Sequence, residues 1–398
     1  MSPSPDAEPS SAALGSAIAR LAAAQVFALS VWFSTSAVLP ALARARGLEP
    51  SALAGLATAT QLGFVLGALA LGLSGLADRV PPSRFFAGCA AAAAALNLVP
   101  GFLAPEGLLA WLARFGVGAA LAGVYPVGIR LAVGWTRTRR GWVSALLVGG
   151  LTLGTSSPHF VAAMGGVHVS FTLFSTSALA VVAALLVLSV QPGPFHASAP
   201  RADPRALGLA WTDPAIRGAY LGYFGHMWEL YGYWAWGGVM AAAAARAGGW
   251  SVSAAFGPWM AFSAIAAGAV ACVLGGRWAD RIGKARVARM ALIGSLASAV
   301  LAAVSFDAAP GLFMVALILW GITVIPDSPQ FSALVADAAP PERAGSLLTF
   351  QIAIGFTISA ITVQVTPTLA EAFGWPVACL VLGAGPLAGL LGLRSGDR

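Results

Sequence analysis

Long apolar blocks separated by short polar segments dominate the chain. Residues 51–73 contain no charged side chain, and neither do residues 254–275. A run of roughly 18 or more apolar residues can cross the ~30 Å hydrocarbon layer of a membrane as an α-helix. Such runs must be helical, because a lone strand would leave its backbone hydrogen-bonding groups unpaired in lipid. The pattern therefore predicts an all-α integral membrane protein.

We expect twelve transmembrane helices in this chain. The predicted spans cover residues 16–40, 51–73, 85–103, 107–130, 142–164, 171–190, 217–241, 254–275, 287–306, 311–334, 344–367 and 376–393. The Pro-rich connection at 191–216 is the longest and most polar, so we interpret it as a linker between two six-helix bundles, at 16–190 and 217–393. Residues 1–15 and 394–398 are expected to be tails, and the first is expected to be disordered.

The basic residues predict the orientation of the chain. With the N-terminus inside, seventeen of the 22 Lys and Arg residues fall on the cytoplasmic side and only Arg44, Arg46 and Arg246 on the outer side. Cytoplasmic loops of membrane proteins carry an excess of Lys and Arg. We therefore expect both termini and the linker to lie in the cytoplasm, with the protein in the cytoplasmic (inner) membrane.

Composition narrows the class of protein further. The chain is 58% hydrophobic and 9% charged, whereas a soluble domain has about 25% charged residues. Its net charge of +7 follows from loop arginines and indicates no nucleic-acid partner. The three cysteines form no metal-binding spacing, and no Gly-rich phosphate loop is present. We expect no catalytic residue, metal or cofactor.

One loop sequence occurs twice along the chain. Ser74–Pro81 reads SGLADRVP and Gly276–Lys284 reads GRWADRIGK, which places Asp78 and Asp280 at matching positions after spans two and eight. An internal repeat of six-helix units is typical of secondary transporters, which rock two bundles around a central site.

The second loop resembles the G-x-x-x-D-R-x-G-K motif of the major facilitator superfamily, and the resemblance extends from span one to span twelve. It implies two pseudo-symmetric six-helix bundles and alternating access driven by an ion gradient, usually of protons. It also implies gating loops that latch the two halves. The residues that match these loops are Asp78, Arg79, Gly276, Asp280, Arg281, Gly283 and Lys284. The alternative is that these charges only set topology.

Span seven contains a carboxyl group where lipid is expected. Glu229 is twelve residues past Arg217, so it lies about 18 Å along the helix, near the midplane. His226 and Tyr233 share its helical face. A charge at this depth costs at least ~2.5–3.5 kcal/mol and usually has a function. We expect Glu229 to be the protonation site with His226 as a relay partner; the alternative is a structural role.

Two further buried charges are candidates for the same cavity. Asp327 follows Val324–Pro326, which echoes Val124–Pro126 of span four, and prolines on both sides of Asp327 are expected to kink or open the helix. Arg114 lies in span four. Apolar surroundings favour the protonated form of a carboxyl, and a nearby arginine opposes this. We expect Asp327 to be the second acid and Arg114 the counter-charge, unless Arg114 only organises the bundle.

These observations predict a monomeric, proton-coupled secondary transporter of a small organic solute rather than an enzyme. Its expected partners are the solute, protons and the lipid bilayer. The alternative is a non-transporting membrane sensor or assembly partner that kept the fold. Uptake and export, and symport and antiport, remain open alternatives at this point.

Overall fold

The computed structural model describes residues 9–196 and 201–396, without the side chains of Pro50, Asp78, Arg140, Ser395 and Gly396. Within this part of the chain the structure is helical and contains no strand. The helices are α1 (Ser11–Leu29), α2 (Ser34–Ala45), α3 (Ala54–Ser74), α4 (Pro82–Phe102), α5 (Leu108–Ala122), α6 (Tyr125–Val133), α7 (Arg140–Met164), α8 (Val169–Leu188), α9 (Leu207–Thr212), α10 (Pro214–Ala247), α11 (Phe256–Ile282), α12 (Lys284–Ser305), α13 (Pro310–Val324), α14 (Ser328–Ala338), α15 (Pro341–Phe373) and α16 (Trp375–Gly396).

Ten helical segments of the described chain are long and apolar enough to cross a membrane. They coincide with ten of the twelve predicted spans. The other two predicted spans correspond to α7 and α10, which have 25 and 34 residues but carry many polar and glycine residues that lower their mean hydropathy. Large apolar side chains such as Phe102 and Leu185 are 69% and 66% exposed, as contact with lipid requires. The chain is an integral membrane protein.

The helices form two halves with the same set of neighbours. In the first half α3 lies against α5, α4 against α8 and α1 against α7. In the second half α11 lies against α13, α12 against α16 and α10 against α15. The halves meet where α15 lies along α3 and α11 along α7. These equivalent neighbours confirm the two pseudo-symmetric bundles that the repeated loop predicts.

Two glycines at equivalent places allow helices to approach closely within each half. A Cβ atom at Gly118 of α5 would collide with the carbonyl of Thr60 in α3. A Cβ atom at Gly321 of α13 would collide with the carbonyl of Ala264 in α11. Small residues permit such backbone contacts between membrane helices, where van der Waals contact replaces the hydrophobic effect as a driving force.

Three of the spans are broken near their middle. Span one is interrupted between α1 and α2 at residues 30–33, and span four between α5 and α6 at residues 123–124. Span ten is interrupted between α13 and α14 at residues 325–327, as its two prolines predict. Breaks expose backbone groups that must find partners or line a cavity, so they mark where the functional site should be sought.

The boundaries of the tails and linker differ from the sequence prediction. The expectation of disorder through residue 15 is wrong over Ser11–Gly15, because the Ser10 hydroxyl accepts a hydrogen bond from the Ala13 amide and starts α1 there; residues 1–8 lie outside the described chain.

The linker contains α9, and α10 begins at Pro214 because the Asp213 carboxylate caps it at 2.9 Å from the Ala215 amide. Helix α16 continues into the expected C-terminal tail as far as Gly396. Residues 197–200 and 397–398 are likewise outside the described residues.

Candidate functional site

A cavity of about 490 Å³ lies between the two halves at the end of the molecule where α2 and α10 finish. We name this the far end, and the opposite end, where residues 201–206 lie, the linker end. Side chains of α2, α7, α10 and α11 form its walls. Arg44, Glu49 and Arg246 border the cavity with exposed side chains, and His159 contributes a buried one. The cavity therefore extends from a charged rim into the protein.

An aromatic cluster joins the two halves next to this cavity. It consists of Trp32, Phe33 and Phe64 from the first half and Tyr231, Trp234 and Phe356 from the second. The ring centroids of Phe64 and Phe356 are 4.4 Å apart, and those of Phe33 and Trp234 are 6.3 Å apart. Aromatic pairs attract at such separations. All six side chains are buried, so the cluster closes the passage between the halves.

Arg114 supports the break in span one. Its guanidinium donates hydrogen bonds to the carbonyls of Trp32 at 2.5 Å and Val31 at 3.2 Å, and to Oδ1 of Asn97 at 2.8 Å. Asn97 in turn donates to Thr176 of α8 at 3.0 Å. Within the described residues Arg114 forms no ion pair with a carboxylate. The structure therefore does not bring Arg114 to Glu229 or Asp327, and its contacts are those of a residue that organises the first bundle.

His226 and Asp327 meet inside the second half. Nδ1 of His226 in α10 lies 2.9 Å from Oδ1 of Asp327 at the break of span ten, and the two side chains are 0% and 1% exposed. The atoms are close but not aligned as a hydrogen bond, and Nε2 of His226 and Oδ2 of Asp327 have no hydrogen-bonding partner. Buried polar groups without partners are costly and mark functional positions.

A tyrosine of the second half lies between this pair and the first half. Tyr223 lies one turn before His226 with its ring centroid 5.9 Å from the imidazole. Tyr125, the first residue of α6 in the first half, is close enough to interact electrostatically with Tyr223, as is Asp327. A movement of one half against the other would change these contacts, so the surroundings of the pair depend on the arrangement of the halves.

Glu229 has a complete set of partners within the second half. The hydroxyl of Ser295 in α12 lies 2.7 Å from each of its carboxylate oxygens, and the indole N–H of Trp320 in α13 donates to Oε2 at 2.9 Å. Tyr233 stacks on Trp320 with centroids 4.7 Å apart and donates to the Leu317 carbonyl at 2.6 Å. Successive turns of α10 therefore contact α12, α13 and the break before α14 through Glu229, Tyr233 and His226.

The linker end is closed by contacts between the halves. The amide of Ala202 donates to the Gly72 carbonyl at 2.9 Å, and the amide of Asp203 donates to the Ser346 hydroxyl at 2.9 Å. A Cβ atom at Gly276 would lie 3.0 Å from Cβ of Ala145, which shows how closely α11 approaches α7 here. The linker and the ends of α3, α7, α11 and α15 therefore seal this end of the molecule.

The loop residues predicted to act in gating have different surroundings. Lys284 pairs with Asp337 of α14, a residue that the sequence motif does not include. Gly283 has a φ of +94° and joins α11 to α12, which explains the glycine at this motif position. Arg79, Asp280 and Arg281 are exposed and form no ion pair within the described part of the chain. The side chain of Asp78 lies outside the described residues.

Sequence reasoning did not identify the polar residues beside the aromatic cluster. Gln61 of α3 and His159 of α7 are 1% exposed, and neither has a hydrogen-bonding partner for any side-chain nitrogen or oxygen. Gln351 of α15 is in the same state. The sequence does contain a signal, because a polar side chain within an apolar span is costly to bury for the same reason as a charge.

No family model matches the sequence, and no curated protein matches it. Many solved structures do match the fold. The D-xylose-proton symporter is 12% identical with a TM-score of 0.74, covering 96% of this chain and 97% of that one. The human organic anion transporter TETRAN is 14% identical with a TM-score of 0.72, covering 97% and 100%. The nucleoside transporter NupG is 14% identical with a TM-score of 0.70, covering 96% and 99%.

These similarities extend over both halves of the chain. Within the described residues no group of three or more His, Cys, Asp or Glu side chains could hold a metal ion. The chain has the fold of the major facilitator superfamily transporters.

Proposed function

We propose that this protein is a secondary active transporter that moves a small organic solute across the cytoplasmic membrane by alternating access, coupled to protons. The observation that carries the proposal is the buried His226–Asp327 pair at the break of span ten. A partly unsatisfied ionisable pair at a broken helix inside a membrane protein is typical of an ion pathway. One of the similar structures is a proton symporter, which supports the coupling ion.

The sequence favoured Glu229 as the protonation site. We propose the His226–Asp327 pair instead. The Glu229 carboxylate is held by Ser295 and Trp320 within its own half. Neither carboxylate oxygen of Asp327 has an aligned hydrogen-bond donor, and the His226 imidazole lies 2.9 Å from one of them. Tyr223, one turn before His226, interacts with both Asp327 and Tyr125 of the other half, so movement of the halves would alter the surroundings of the pair.

The proposed cycle couples hydration of the pair to the position of the halves. In the present arrangement the linker end is closed and the cavity lies at the far end. Rocking of the halves would open the linker end and move Tyr125 away from Tyr223 beside the pair, so that water reaches the pair. An Asp–His pair can hold one proton or two, and hydration changes which state is favoured. Proton release would then accompany access to that end.

Proteoliposomes loaded with a pH-sensitive dye test this function. Purified protein is challenged with a panel of sugars, nucleosides, organic anions and organic cations, and proton movement that depends on the solute is measured. We expect a signal with the wild type, and a signal reduced to background with Asp327→Asn, because asparagine has a similar shape but cannot titrate. The matched control is Asp307→Asn, which changes an exposed acid and should keep the wild-type signal.

Two outcomes would contradict the proposal. Solute-dependent proton movement that survives in Asp327→Asn would remove the pair from the coupling step. A wild type that is stabilised by a solute but moves neither solute nor protons would favour the alternative of a sensor or assembly partner.

We also propose that the linker end faces the cytoplasm, with both termini on that side, and that the protein acts as a monomer. The arginine excess at this end supports the orientation. The gating loops, from Asp78 and Arg79 to Gly276–Lys284, are proposed to control opening of this end, since α11 meets α7 there.

A further inference from the structure

Four buried side chains in or around the aromatic cluster have polar atoms without partners. They are Nε1 of Trp32, both amide atoms of Gln61, both ring nitrogens of His159 and Nε1 of Trp234. Each of these side chains is 0% or 1% exposed. Natural proteins leave few buried polar groups unpaired, because each costs about 1–3 kcal/mol. Such a concentration in one place indicates groups that await a ligand.

The contacts of the aromatic rings place these side chains around one position between the halves. The ring of His159 is 6.4 Å from that of Phe33, and His159 also lines the far-end cavity. Trp32 contacts Phe64 and Tyr231 at 5.0 and 5.7 Å, and Trp234 contacts Phe33 at 6.3 Å.

Gln61 belongs to the same position because of its place on α3. Its face of α3 carries Thr58, which bonds Gln364 of α15 at 2.9 Å, and Phe64, which contacts Phe356 of α15. Residues three apart lie on one helical face. Gln61 therefore points to the interface with α15, between these two contacts, at the edge of the aromatic cluster.

The unpaired groups define the chemistry of the ligand. The two indoles only donate hydrogen bonds, while the amide and the imidazole can donate and accept. The aromatic faces of Trp32, Tyr231 and Phe356 suit stacking on a ring. The cluster contains no charged side chain, and both terminal nitrogens of Arg114 already bind the backbone of span one.

We propose that this position is the solute-binding site and that it takes an uncharged ring compound with several hydroxyl groups, a chemistry that sugars and nucleosides share. The cavity of about 490 Å³ beside it is within the usual range for small-molecule sites. Trp234 is eight residues past His226, about 12 Å along α10. The solute site and the proton site are therefore separate, and the inference rests on the transport function proposed above.

Ligand-induced stabilisation of the detergent-purified protein tests the solute class without any gradient. The probes are D-glucose, D-galactose, uridine, adenosine, benzoate and tetraethylammonium at millimolar concentration. A solute that binds the folded protein raises its melting temperature. We expect stabilisation by the sugars or by the nucleosides, and the two arms decide between these sources. Stabilisation by benzoate or tetraethylammonium alone, or by none of the six, would overturn the proposal.

Substitution of Gln61 tests the location of the site. Gln61→Leu keeps the size of the side chain and removes its hydrogen bonds, and we expect the affinity of the stabilising probe to fall about tenfold or more. The control Gln364→Leu makes the same change at an exposed position of the α3–α15 interface and should retain affinity. If Gln61→Leu does not fold, His159→Phe takes its place. A folded variant of either kind that binds as tightly as the wild type would refute the site.

This binding test is independent of the coupling test. Binding of a neutral ring solute with no movement of solute or protons in proteoliposomes would contradict the transport function and leave the site standing. Proton movement that occurs only with a charged solute would contradict the site and leave the transport function standing.

Discussion

Replacement of Arg114 by methionine should destabilise the first bundle. The substitution keeps most of the length of the side chain and removes the donors to Trp32, Val31 and Asn97. Hydrogen bonds from charged donors contribute about 1.5–3 kcal/mol each in soluble proteins, and those between membrane helices average about 0.6 kcal/mol. For three bonds at about 0.6–1.5 kcal/mol each, we expect a loss of about 2–5 kcal/mol in the free energy of unfolding.

The corresponding change in melting temperature follows from chain length. Unfolding entropy of about 2.1 cal/mol/K per residue, applied to 398 residues, amounts to about 0.8 kcal/mol/K. The expected decrease is therefore about 2–6 °C, measured by thermal unfolding of the purified protein in detergent. Arg246→Met, at the exposed rim of the far-end cavity, is the control and should change the melting temperature by much less.

A different result would restore the role that the sequence suggested for Arg114. If Arg114→Met melts like the wild type but alters the proton dependence of transport, the arginine acts as a counter-charge and not as a support for the break. The hydrogen bonds seen here would then contribute little to stability.

Three further predictions concern coupling, gating and orientation. Glu229→Gln should lower stability by about 1–3 kcal/mol, because its amide faces the donors Ser295 and Trp320, and should keep solute-driven proton movement; loss of that movement at full stability would make Glu229 the protonation site after all. Asp280→Asn should slow solute flux without changing the melting temperature, since Asp280 forms no ion pair within the described residues; an unchanged flux would exclude it from gating. A cysteine placed at Arg205 should resist impermeant thiol reagents in intact cells, and labelling from outside would reverse the proposed orientation.

Local features of the sequence were sufficient to predict much of the fold. Hydropathy located ten spans that the structure confirms, because the length of an apolar run relates directly to the thickness of the membrane. The prolines on both sides of Asp327 predicted the break in span ten, since a proline removes a backbone donor wherever it stands in a helix. The start of α1 was missed because a single capping serine, Ser10, extends the helix into a polar segment.

The depth of a buried charge could also be predicted, but its partners could not. Counting residues along α10 placed Glu229 inside the protein, and the structure shows it 0% exposed. Its contacts with Ser295 and Trp320 join residues 66 and 91 positions apart. Such pairs depend on how helices are rotated and crossed, which a single sequence does not reveal.

The sequence by itself therefore determined that this is a helical membrane protein built as a repeat, because span length, loop charge and internal repetition are properties of the chain read in order. Only the tertiary structure decided that Arg114 supports the break in span one and that His226 meets Asp327. It also gathered His159 and the aromatic rings of both halves at one position. The physical reason is that contacts between helices are set by the simultaneous fit of all their faces, so the identity of each partner is a property of the assembled bundle.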